Sequence, residues 1–245
     1  MVSDDADLRA SYSALAPFYD ELMGDASARA ASIRRAAERW RPGAHSILEL
    51  GCGTGSVLAA LEGWRRVGVD RSRAMIERAR QRVPEVTIVT GDITAVALDE
   101  RFDVVACVFD TLNHVTDLSR WGEVVAVAAD HLVSGGLFVL DVNTTGRLAQ
   151  LVEAPPWVHD FARGILIMDV RGGLDGVTHW HLRIFEREVD GRFTLHEEVI
   201  DEAALELESL VALLSSEFEV LESVDGEGET ATDSCARAFV VARRR

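Results

Sequence analysis

Three glycines alternate with other residues in a short stretch that begins as an apolar run and contains one acid. The stretch is ILELGCGTG, residues 47–55, with Glu49 ahead of Gly51, Gly53 and Gly55. Glycines in this pattern, between an apolar strand and a helix, are typical of a tight turn whose backbone contacts a ligand. The sequence therefore predicts a ligand site directly after the first strand.

The glycine spacing and the acid narrow the chemistry of that ligand. A nicotinamide-dinucleotide loop needs G-x-G-x-x-G, but its third glycine would fall at Ser56, and the glycine comes one residue early, at Gly55. An acid at the mouth of the turn disfavours a pyrophosphate and favours a ligand that carries positive charge. S-adenosylmethionine has an ammonium group, a sulfonium group and no phosphate, so it fits the pattern better.

A histidine after the fourth apolar run is the candidate for proton transfer. His114 lies in DTLNHV, close behind Asp110 and Asn113. A near-neutral imidazole suits the removal of a proton from an acceptor. A hydroxyl acceptor needs such a base, whereas a neutral amine needs mainly alignment. His114 is therefore the catalytic candidate, with a role that only shapes the pocket as the alternative.

The elements that must position these residues alternate along the first half of the chain. Apolar runs predict strands at 46–50, 67–69, 86–89, 102–109 and 137–142, with helical periodicity between most of them. Continuous apolar runs are typical of parallel strands that are buried on both faces. We therefore expect a doubly wound α/β domain, in which ligands bind beyond the carboxyl ends of the strands.

The pattern changes after residue 143. Residues 165–200 alternate as in antiparallel strands, and a helix at about 202–215 precedes two more strand candidates, 218–224 and 238–241. We expect an antiparallel β lid inserted after the fifth strand. The predicted division is 1–143 for the N-terminal cap and cofactor-binding half, 144–200 for the substrate lid, and 201–245 for the helix and strand pair that complete the single domain.

Three histidines in the predicted lid raise the question of a metal. If Asp190-Gly191 is a two-residue turn, His196 faces Phe185, and His181 lies four residues further along the same face. That separation, about 13 Å at ~3.3 Å per residue, is too great for one metal ion. We therefore expect no metal, and interpret the lid histidines and aromatic residues either as substrate surface or as ordinary sheet packing.

Several stretches together resemble the class I S-adenosylmethionine-dependent methyltransferases. ILELGCGTG resembles their E/D-x-G-x-G-x-G signature, and GVDRS, TGDIT, FDVVACVFDTLNHV and LVSGGLFVLDV resemble later segments in the same order. The likeness covers residues 12–143 well and the C-terminal part moderately. Within the family, the chain is similar to bacterial glycine and amino-sugar N-methyltransferases, whose opening segment, like SYSALAPFYDELM here, closes over the cofactor. The resemblance implies a seven-stranded, mostly parallel, Rossmann-like sheet.

The resemblance also implies the roles of individual residues. Asp70 would bind both ribose hydroxyls, Asp92 the adenine amino group, and Glu49 the methionine amine. The implied cofactor-binding residues are Tyr19, Glu49, Gly51, Cys52, Gly53, Gly55, Asp70, Arg71, Met75, Asp92, Ile93 and Phe109. The implied substrate-lining residues are Tyr12, Asp110, Asn113, His114, Trp157 and Trp180. The implied activity is methyl transfer from S-adenosylmethionine to a nitrogen or oxygen of a small metabolite.

Composition limits the partners and the compartment. The chain has 41 acidic and 25 basic residues, a formal charge of −16, which disfavours nucleic acid and anionic membranes. We expect a neutral or cationic small-molecule acceptor, and a homodimer is left open. No run approaches the ~20 apolar residues of a membrane span, and the N-terminus is acidic, so we expect a cytoplasmic protein. Three cysteines without a CxxC pair predict reduced thiols.

Two other functions compete with this reading. A non-catalytic cofactor-binding or partner protein could keep the same fold, because a fold does not imply an activity. A dehydrogenase is the third hypothesis, and the early third glycine counts against it. Turnover of S-adenosylmethionine with an acceptor separates the first hypothesis from the second, and nicotinamide binding would favour the third.

Overall fold

The computed structural model describes residues 12–173 and 175–245, so the first eleven residues of the predicted N-terminal cap lie outside the described residues. The first five strands are β1 Ser46–Leu50, β2 Arg65–Asp70, β3 Thr87–Thr90, β4 Phe102–Cys107 and β5 Leu132–Asn143. The next four are β6 Trp157–Phe161, β7 Gly164–Gly172, β8 Thr178–Arg187 and β9 Phe193–Glu202. The last two are β10 Phe218–Val224 and β11 Arg237–Arg244.

Helices connect most of these strands. They are α1 Tyr19–Met23, α2 Ser27–Trp40, α3 Ser56–Ala60, α4 Arg73–Arg82, α5 Trp121–Asp130, α6 Thr145–Glu153 and α7 Leu207–Leu214. Two 3₁₀ turns, Thr111–His114 and Leu118–Arg120, follow β4. Within the described ranges, no helix combines the length and the apolar character that crossing a membrane would require.

The strands form two separate sheets. The larger has the order β10-β11-β5-β4-β1-β2-β3, and the smaller has the order β6-β7-β8-β9. In the larger sheet β1 to β5 pair in parallel, whereas β11 pairs antiparallel with both β5 and β10. The smaller sheet is antiparallel throughout. The predicted fold is confirmed: a seven-stranded, mostly parallel Rossmann-like sheet with an antiparallel sheet inserted after β5.

The central strands are buried because helices cover both faces of the larger sheet. All five residues of β1 are buried, and successive side chains enter different layers. Ile47 packs with Ile33 and Leu58 on one face, and Leu48 packs with Trp121 on the other. Each such side chain contributes about 1.5–3 kcal/mol when it is fully buried. This two-sided core holds the carboxyl ends of β1, β2 and β4 in fixed positions.

The inserted segment begins with a helix, α6, ahead of its strands. The side chain of Thr144 accepts a hydrogen bond from the backbone N–H of Arg147 and so caps the N-terminus of α6. Leu148 in the next turn is buried. The small sheet occupies residues 157–202, which is later at both ends than the predicted lid, 144–200.

The predicted register of the β8–β9 hairpin is wrong by one residue. His196 pairs with Ile184, not with Phe185. The loop has three residues, 189–191, because the backbone N–H of Glu188 bonds the carbonyl of Arg192, and its last residue, Gly191, has φ of 83°. A three-residue loop that ends in the left-handed conformation is a common hairpin alternative to a two-residue turn.

Candidate active site

A cavity of about 1000 Å³ opens at the carboxyl ends of β1, β2 and β4. Its walls are the glycine turn after β1, the end of β2, the turn after β4, the N-terminal segment and the edge strand β9. A ligand site at this edge of the sheet is the position expected for a doubly wound fold. Most residues that the sequence predicts for the cofactor line this cavity.

The glycine turn is fixed by hydrogen bonds to the neighbouring strand. The backbone N–H groups of Gly51 and Cys52 both donate to the carbonyl of Val69, at 2.8 and 2.9 Å. Gly51 has φ of 72°, and a Cβ there would overlap the side chain of Thr111. Position 51 therefore requires glycine for two reasons: its backbone conformation and the close approach of the turn after β4.

Asp70 ends β2 and supports the glycine turn from the opposite side. One carboxylate oxygen accepts the backbone N–H of Gly53, and the other accepts that of Ser72, each at 2.8 Å. Burial raises the pKa of the Asp70 carboxyl. Because Asp70 also lines the cavity and each carboxylate oxygen can accept more than one hydrogen bond, this carboxylate can bind the hydroxyls of a diol.

Glu49 presents a buried oxygen without a partner. The side chain is 2% exposed, and its Oε2 has no hydrogen-bond partner among the described residues. Burial, together with the nearby Asp70, raises the pKa of Glu49 well above its ordinary value. A buried carboxyl group of this kind needs a cation or a donor. The α-ammonium group of S-adenosylmethionine meets that need, so this observation fits the predicted cofactor.

Asp92 and Ile93 form the far end of the cavity after β3. One oxygen of Asp92 accepts the backbone N–H and the hydroxyl of Thr94, at 2.9 and 2.8 Å. The other lies 3.8 Å from the guanidinium of Arg120. The carboxylate is thereby fixed in a position where it can accept a hydrogen bond from an adenine amino group, beside the apolar surface of Ile93.

One predicted cofactor residue has a different task. Gly55 does not line the cavity; it caps α3 in a left-handed conformation, with φ of 74°. A Cβ there would come within 3.2 Å of Val83 and 3.3 Å of Ala79. The third glycine thus permits close packing of α3 on α4. The remaining predicted cofactor residues line the cavity, namely Tyr19, Cys52, Arg71, Met75 and Phe109.

The N-terminal segment, residues 12–23, lies across the cavity and is attached at two points. Glu198 on β9 accepts the backbone N–H groups of Ala14 and Leu15, at 3.1 and 2.8 Å. At the other end Asp20 accepts hydrogen bonds from Thr54 in the glycine turn, at 2.6 Å, and from Arg82 on α4, at 2.5 Å. The segment therefore joins the small sheet to the glycine turn.

Replacing Arg82 with alanine is expected to weaken cofactor binding about twofold to fivefold, because a partly exposed ion pair contributes roughly 0.5–1 kcal/mol. The pair is about two-thirds buried, with side-chain exposures of 32% and 34%. Calorimetric titration with S-adenosylmethionine measures the effect. Arg73→Ala is the matched control, since Arg73 lies on the same helix in an exposed pair with Glu77. Equal affinities of the two variants would contradict the attachment.

Tyr12 and His114 meet at the cavity wall. The Tyr12 hydroxyl lies 2.8 Å from His114 Nε2, and His114 Nδ1 lies 3.2 Å from the carbonyl of Asp201. Because a carbonyl only accepts, Nδ1 carries the proton and Nε2 accepts from the hydroxyl. Burial lowers the pKa of His114, so the imidazole is neutral at physiological pH. Burial raises the pKa of the Tyr12 phenol, which keeps it protonated.

The turn that carries His114 is conformationally strained. Phe109 and Asp110 have φ of 58° and 54°, a left-handed conformation that is costly for residues other than glycine. Asp141 on β5 accepts both backbone N–H groups, at 3.2 and 3.0 Å, and so holds the turn. Strain of this kind is concentrated at functional sites.

The substrate-lining predictions separate into two groups. Tyr12 and His114 line the cavity, whereas Asp110 and Asn113 lie behind it. Asn113 is fully buried and donates to the backbone carbonyls of Asn143 and Ala203. Its amide therefore joins the end of β5 to the end of β9 instead of facing a substrate.

Trp157 and Trp180 do not line the cavity, contrary to their predicted role. Trp180 packs beneath the N-terminal segment, and its indole N–H donates to Thr178. Trp157 is 47% exposed on the edge strand β6 and stacks on His159. The reason is the sheet order: β9 lies against the cavity, and β6 is at the opposite edge.

The sequence interpretation missed the residues of β9 that line the cavity, 197–201. Their only local signal is a dense run of acids in HEEVIDE. It also missed cavity residues that neighbour the recognised segments, namely Ser13, Thr54, Ser56, Val57, Ser72, Gly91, Thr94, Thr111, Val115, Thr116, Asp117 and Arg120. Their position in the sequence, next to the recognised segments, is the signal that could have identified them.

The lid histidines lie apart from one another. His179 pairs with Asp201, at 2.7 Å, and His196 pairs with Glu186, at 3.0 Å. Since the register differs by one residue from the prediction, His181 and His196 occupy opposite faces of the sheet rather than one face.

Comparisons with known proteins agree with this geometry. Residues 47–136 match the family model of a methyltransferase domain. A relative from Geobacillus sp. (strain WCH70), named only as a methyltransferase, is 27% identical over 246 residues, which cover 96% of this chain and 100% of that protein. A solved S-adenosylmethionine-dependent methyltransferase from Clostridium acetobutylicum has a TM-score of 0.85 at 20% identity and covers 95% of this chain and 98% of that one.

A further relative is named for its substrate. It is the dTDP-4-amino-2,3,4,6-tetradeoxy-D-glucose N,N-dimethyltransferase of Saccharopolyspora spinosa, 35% identical over 132 residues. The match covers 51% of this chain and 53% of that enzyme, so this chain spans about half the length of that relative.

Residues 47–136 are thus similar to a methyltransferase domain, and the chain has the fold of a solved S-adenosylmethionine-dependent methyltransferase. About half of the chain is also similar in sequence to amino-sugar N,N-dimethyltransferases. The family prediction is therefore confirmed, and so is the prediction of S-adenosylmethionine as the cofactor.

Proposed function

We propose that the protein transfers the methyl group of S-adenosylmethionine to the amine nitrogen of a small-molecule acceptor. The observation that carries the proposal is the 2.8 Å contact between the Tyr12 hydroxyl and His114 Nε2 at the cavity wall. Tyr12 also contacts the ring of Tyr19, which lines the cavity with Glu49. The pair therefore lies between the proposed cofactor half and β9, where an acceptor would bind.

The cofactor, when bound, supplies a methyl group on a sulfonium that is already activated for transfer. Glu49, Asp70 and Asp92 would hold its ammonium, ribose and adenine groups. The task left to the chain is to align the acceptor and to exclude water, which can lower the barrier by ~7 to 11 kcal/mol. The N-terminal segment and the small sheet would exclude that water. We propose the inserted segment, 144–200, as the substrate lid, between the cofactor-binding half, 1–143, and the C-terminal part, 201–245.

An amine that gains a methyl group must lose a proton. In the proposed step the N–H bond of the acceptor breaks and its proton passes to the Tyr12 oxygen. The Tyr12 hydroxyl proton passes at the same time to His114 Nε2, leaving an imidazolium and a neutral phenol. The neutral imidazole is available for this task because burial lowers the pKa of His114.

Charge and similarity favour a cationic or neutral amine, with amino sugars as the first class to test. Acid groups of β9, Glu197 and Asp201, lie at the cavity, and the basic groups among its lining residues are Arg71 and Arg120. The formal charge of −16 disfavours a polyanionic acceptor such as nucleic acid. The similarity to N,N-dimethyltransferases of amino sugars supports nitrogen over oxygen as the acceptor atom.

Transfer from S-adenosylmethionine carrying a deuterated methyl group tests the proposal. The acceptors are amino sugars, each paired with the hydroxyl sugar of the same skeleton, and mass spectrometry measures the mass gain. Free sugars are the acceptors that the charge argument favours, and the anionic dTDP conjugates, named for the relatives, are tested beside them. We expect a gain on the amine of at least one pair, and two successive gains on a primary amine. The Asp70→Ala variant is the control without a cofactor site. Cofactor binding with no transfer to any acceptor would favour the non-catalytic alternative, and transfer to the hydroxyl partners alone would overturn the choice of nitrogen.

A further inference from the structure

Two acids that the proposed reaction does not use lie directly behind the Tyr12–His114 pair. Asp110 starts the turn that carries His114, and Glu202 ends β9. Their carboxylate oxygens and a ring nitrogen of His114 all lie within 4.8 Å of one another. Glu202 is 2% exposed, and its Oε2 accepts the amide of Asn143 at 2.8 Å.

The surrounding charges do not balance if every acid is ionised. Arg237 on β11 pairs with Asp110 and with Asp141, each at 2.5 Å. Arg29 on α2 pairs with Asp141 at 2.8 Å. Three carboxyl groups, those of Asp110, Asp141 and Glu202, thus share two guanidinium groups. Arg147 on α6 also attracts Glu202, but more weakly. One bound proton removes the excess negative charge.

Glu202 is the carboxyl group that holds this proton. Both other acids contact Arg237 directly, whereas Glu202 reaches that guanidinium only through Asn143. Burial, and the negative charge of Asp110, raise the pKa of Glu202 to about 8. The like charge of Asp110 at this distance disfavours ionisation of Glu202, which therefore keeps the proton.

The same set of groups could hold a metal ion only if their lone pairs were free. His114 Nε2 accepts from Tyr12 and its Nδ1 donates to the Asp201 carbonyl. Asp110 is bound by Arg237, whose positive charge repels a cation. The donors already in place therefore favour a proton on Glu202 over a metal at this cluster.

We propose that Glu202, paired with Asp110, is a positioning residue that sets the basicity of His114. While Glu202 keeps its proton, only the negative charge of Asp110 lies beside the imidazole. When the proton leaves, a second negative charge stabilises the imidazolium, and His114 becomes the stronger base. The other charged groups that act on His114 are Asp70, which favours the imidazolium, and Arg71, which opposes it. This inference rests on the proposed function.

Infrared spectra of the protein alone test the proton on Glu202. We expect the wild type minus Glu202→Gln difference to show a protonated-carboxyl band that titrates at about pH 8, while the bands of other buried acids such as Glu49 cancel. In Asp110→Asn the Glu202 band should titrate at lower pH, because the like charge has gone. No carboxyl band in that difference at pH 6.5 would overturn the proposal whether or not an acceptor is known.

Methylation rates test whether Glu202 acts on the reaction through His114. We compare the ratio of the wild-type rate to the Glu202→Gln rate, because the ionisation of the acceptor affects both rates equally and cancels. We expect a ratio near one at about pH 6.5 that rises threefold to tenfold by about pH 9, as the stronger base appears only in the wild type. Glu208→Gln, an exposed change on α7, should give a ratio near one throughout. A ratio that stays constant with pH would overturn the proposal: a constant ratio well above one would mean a purely structural role, and a constant ratio near one would mean no effect on His114. Dependence of the rate on added Mg²⁺ or on a chelator would mean a metal and would also overturn it.

Discussion

The Asp70→Ala variant is expected to bind S-adenosylmethionine about 100-fold more weakly than the wild type, because two hydrogen bonds to a charged group contribute about 3 kcal/mol. In the proposed binding mode the carboxylate accepts both ribose hydroxyls. It also accepts the backbone N–H groups of Gly53 and Ser72, so the substitution loosens the glycine turn as well. Calorimetric titration with S-adenosylmethionine and S-adenosylhomocysteine measures the loss.

Two controls separate this effect from a general loss of structure. Asp130→Ala removes an exposed acid at the end of α5 and should leave the affinity unchanged. The melting temperature of Asp70→Ala shows whether the domain still folds. Wild-type affinity in a folded Asp70→Ala variant would contradict the assigned ribose site. Binding of a nicotinamide dinucleotide by the wild type would revive the dehydrogenase hypothesis.

The His114→Gln variant is expected to lose about 100- to 1000-fold in kcat, the range typical for removal of a general base. Its affinity for the cofactor should stay within about twofold of the wild type, since His114 lies on the proposed acceptor side of the cavity. In the wild type, the neutral imidazole persists at unusually low pH because burial lowers the pKa of His114. Activity should therefore be kept through the ordinary histidine range and be lost only as the pH falls below it.

A second variant tests the hydroxyl that lies between the acceptor and His114. Tyr12→Phe keeps the ring contact with Tyr19 but cannot pass a proton, and kcat should fall about tenfold or more. His159→Asn on β6, the edge strand opposite β9, is the matched control and should leave kcat unchanged. Equal kcat in the wild type, His114→Gln and Tyr12→Phe would mean that alignment alone drives the transfer.

The parts of the site that the sequence predicts are those that a local pattern determines. A glycine turn between an apolar strand and a helix has few alternative conformations, so Glu49, Gly51 and Gly53 could be located from residues 47–55 alone. Asp70 and Asp92 follow from the same logic, because each ends or follows a parallel strand, and those ends meet at one edge of the sheet.

The rest depends on contacts between residues that are distant in sequence. The residues of β9 reach the cavity only because β9 is an edge strand of the small sheet, and no local pattern reports which strand is at an edge. The register of the β8–β9 hairpin depends on whether its loop has two or three residues. One added loop residue moves every later side chain of β9 to the other face of the sheet. The Asp110–Glu202 pair joins elements that are 92 positions apart, and their encounter is set by the packing of the whole domain.

The two attachments of the N-terminal segment also constrain the kinetics. Tyr19 lines the cavity beside Glu49, and Tyr12 lines it beside His114, so one short segment covers both of the proposed ligand compartments. Exchange of either ligand would require release of residues 12–23 from Glu198 on one side or from Thr54 and Arg82 on the other. A local unfolding step, common to substrate entry and product exit, would then limit the rate of turnover. Such a step would make the first turnover faster than the steady-state rate.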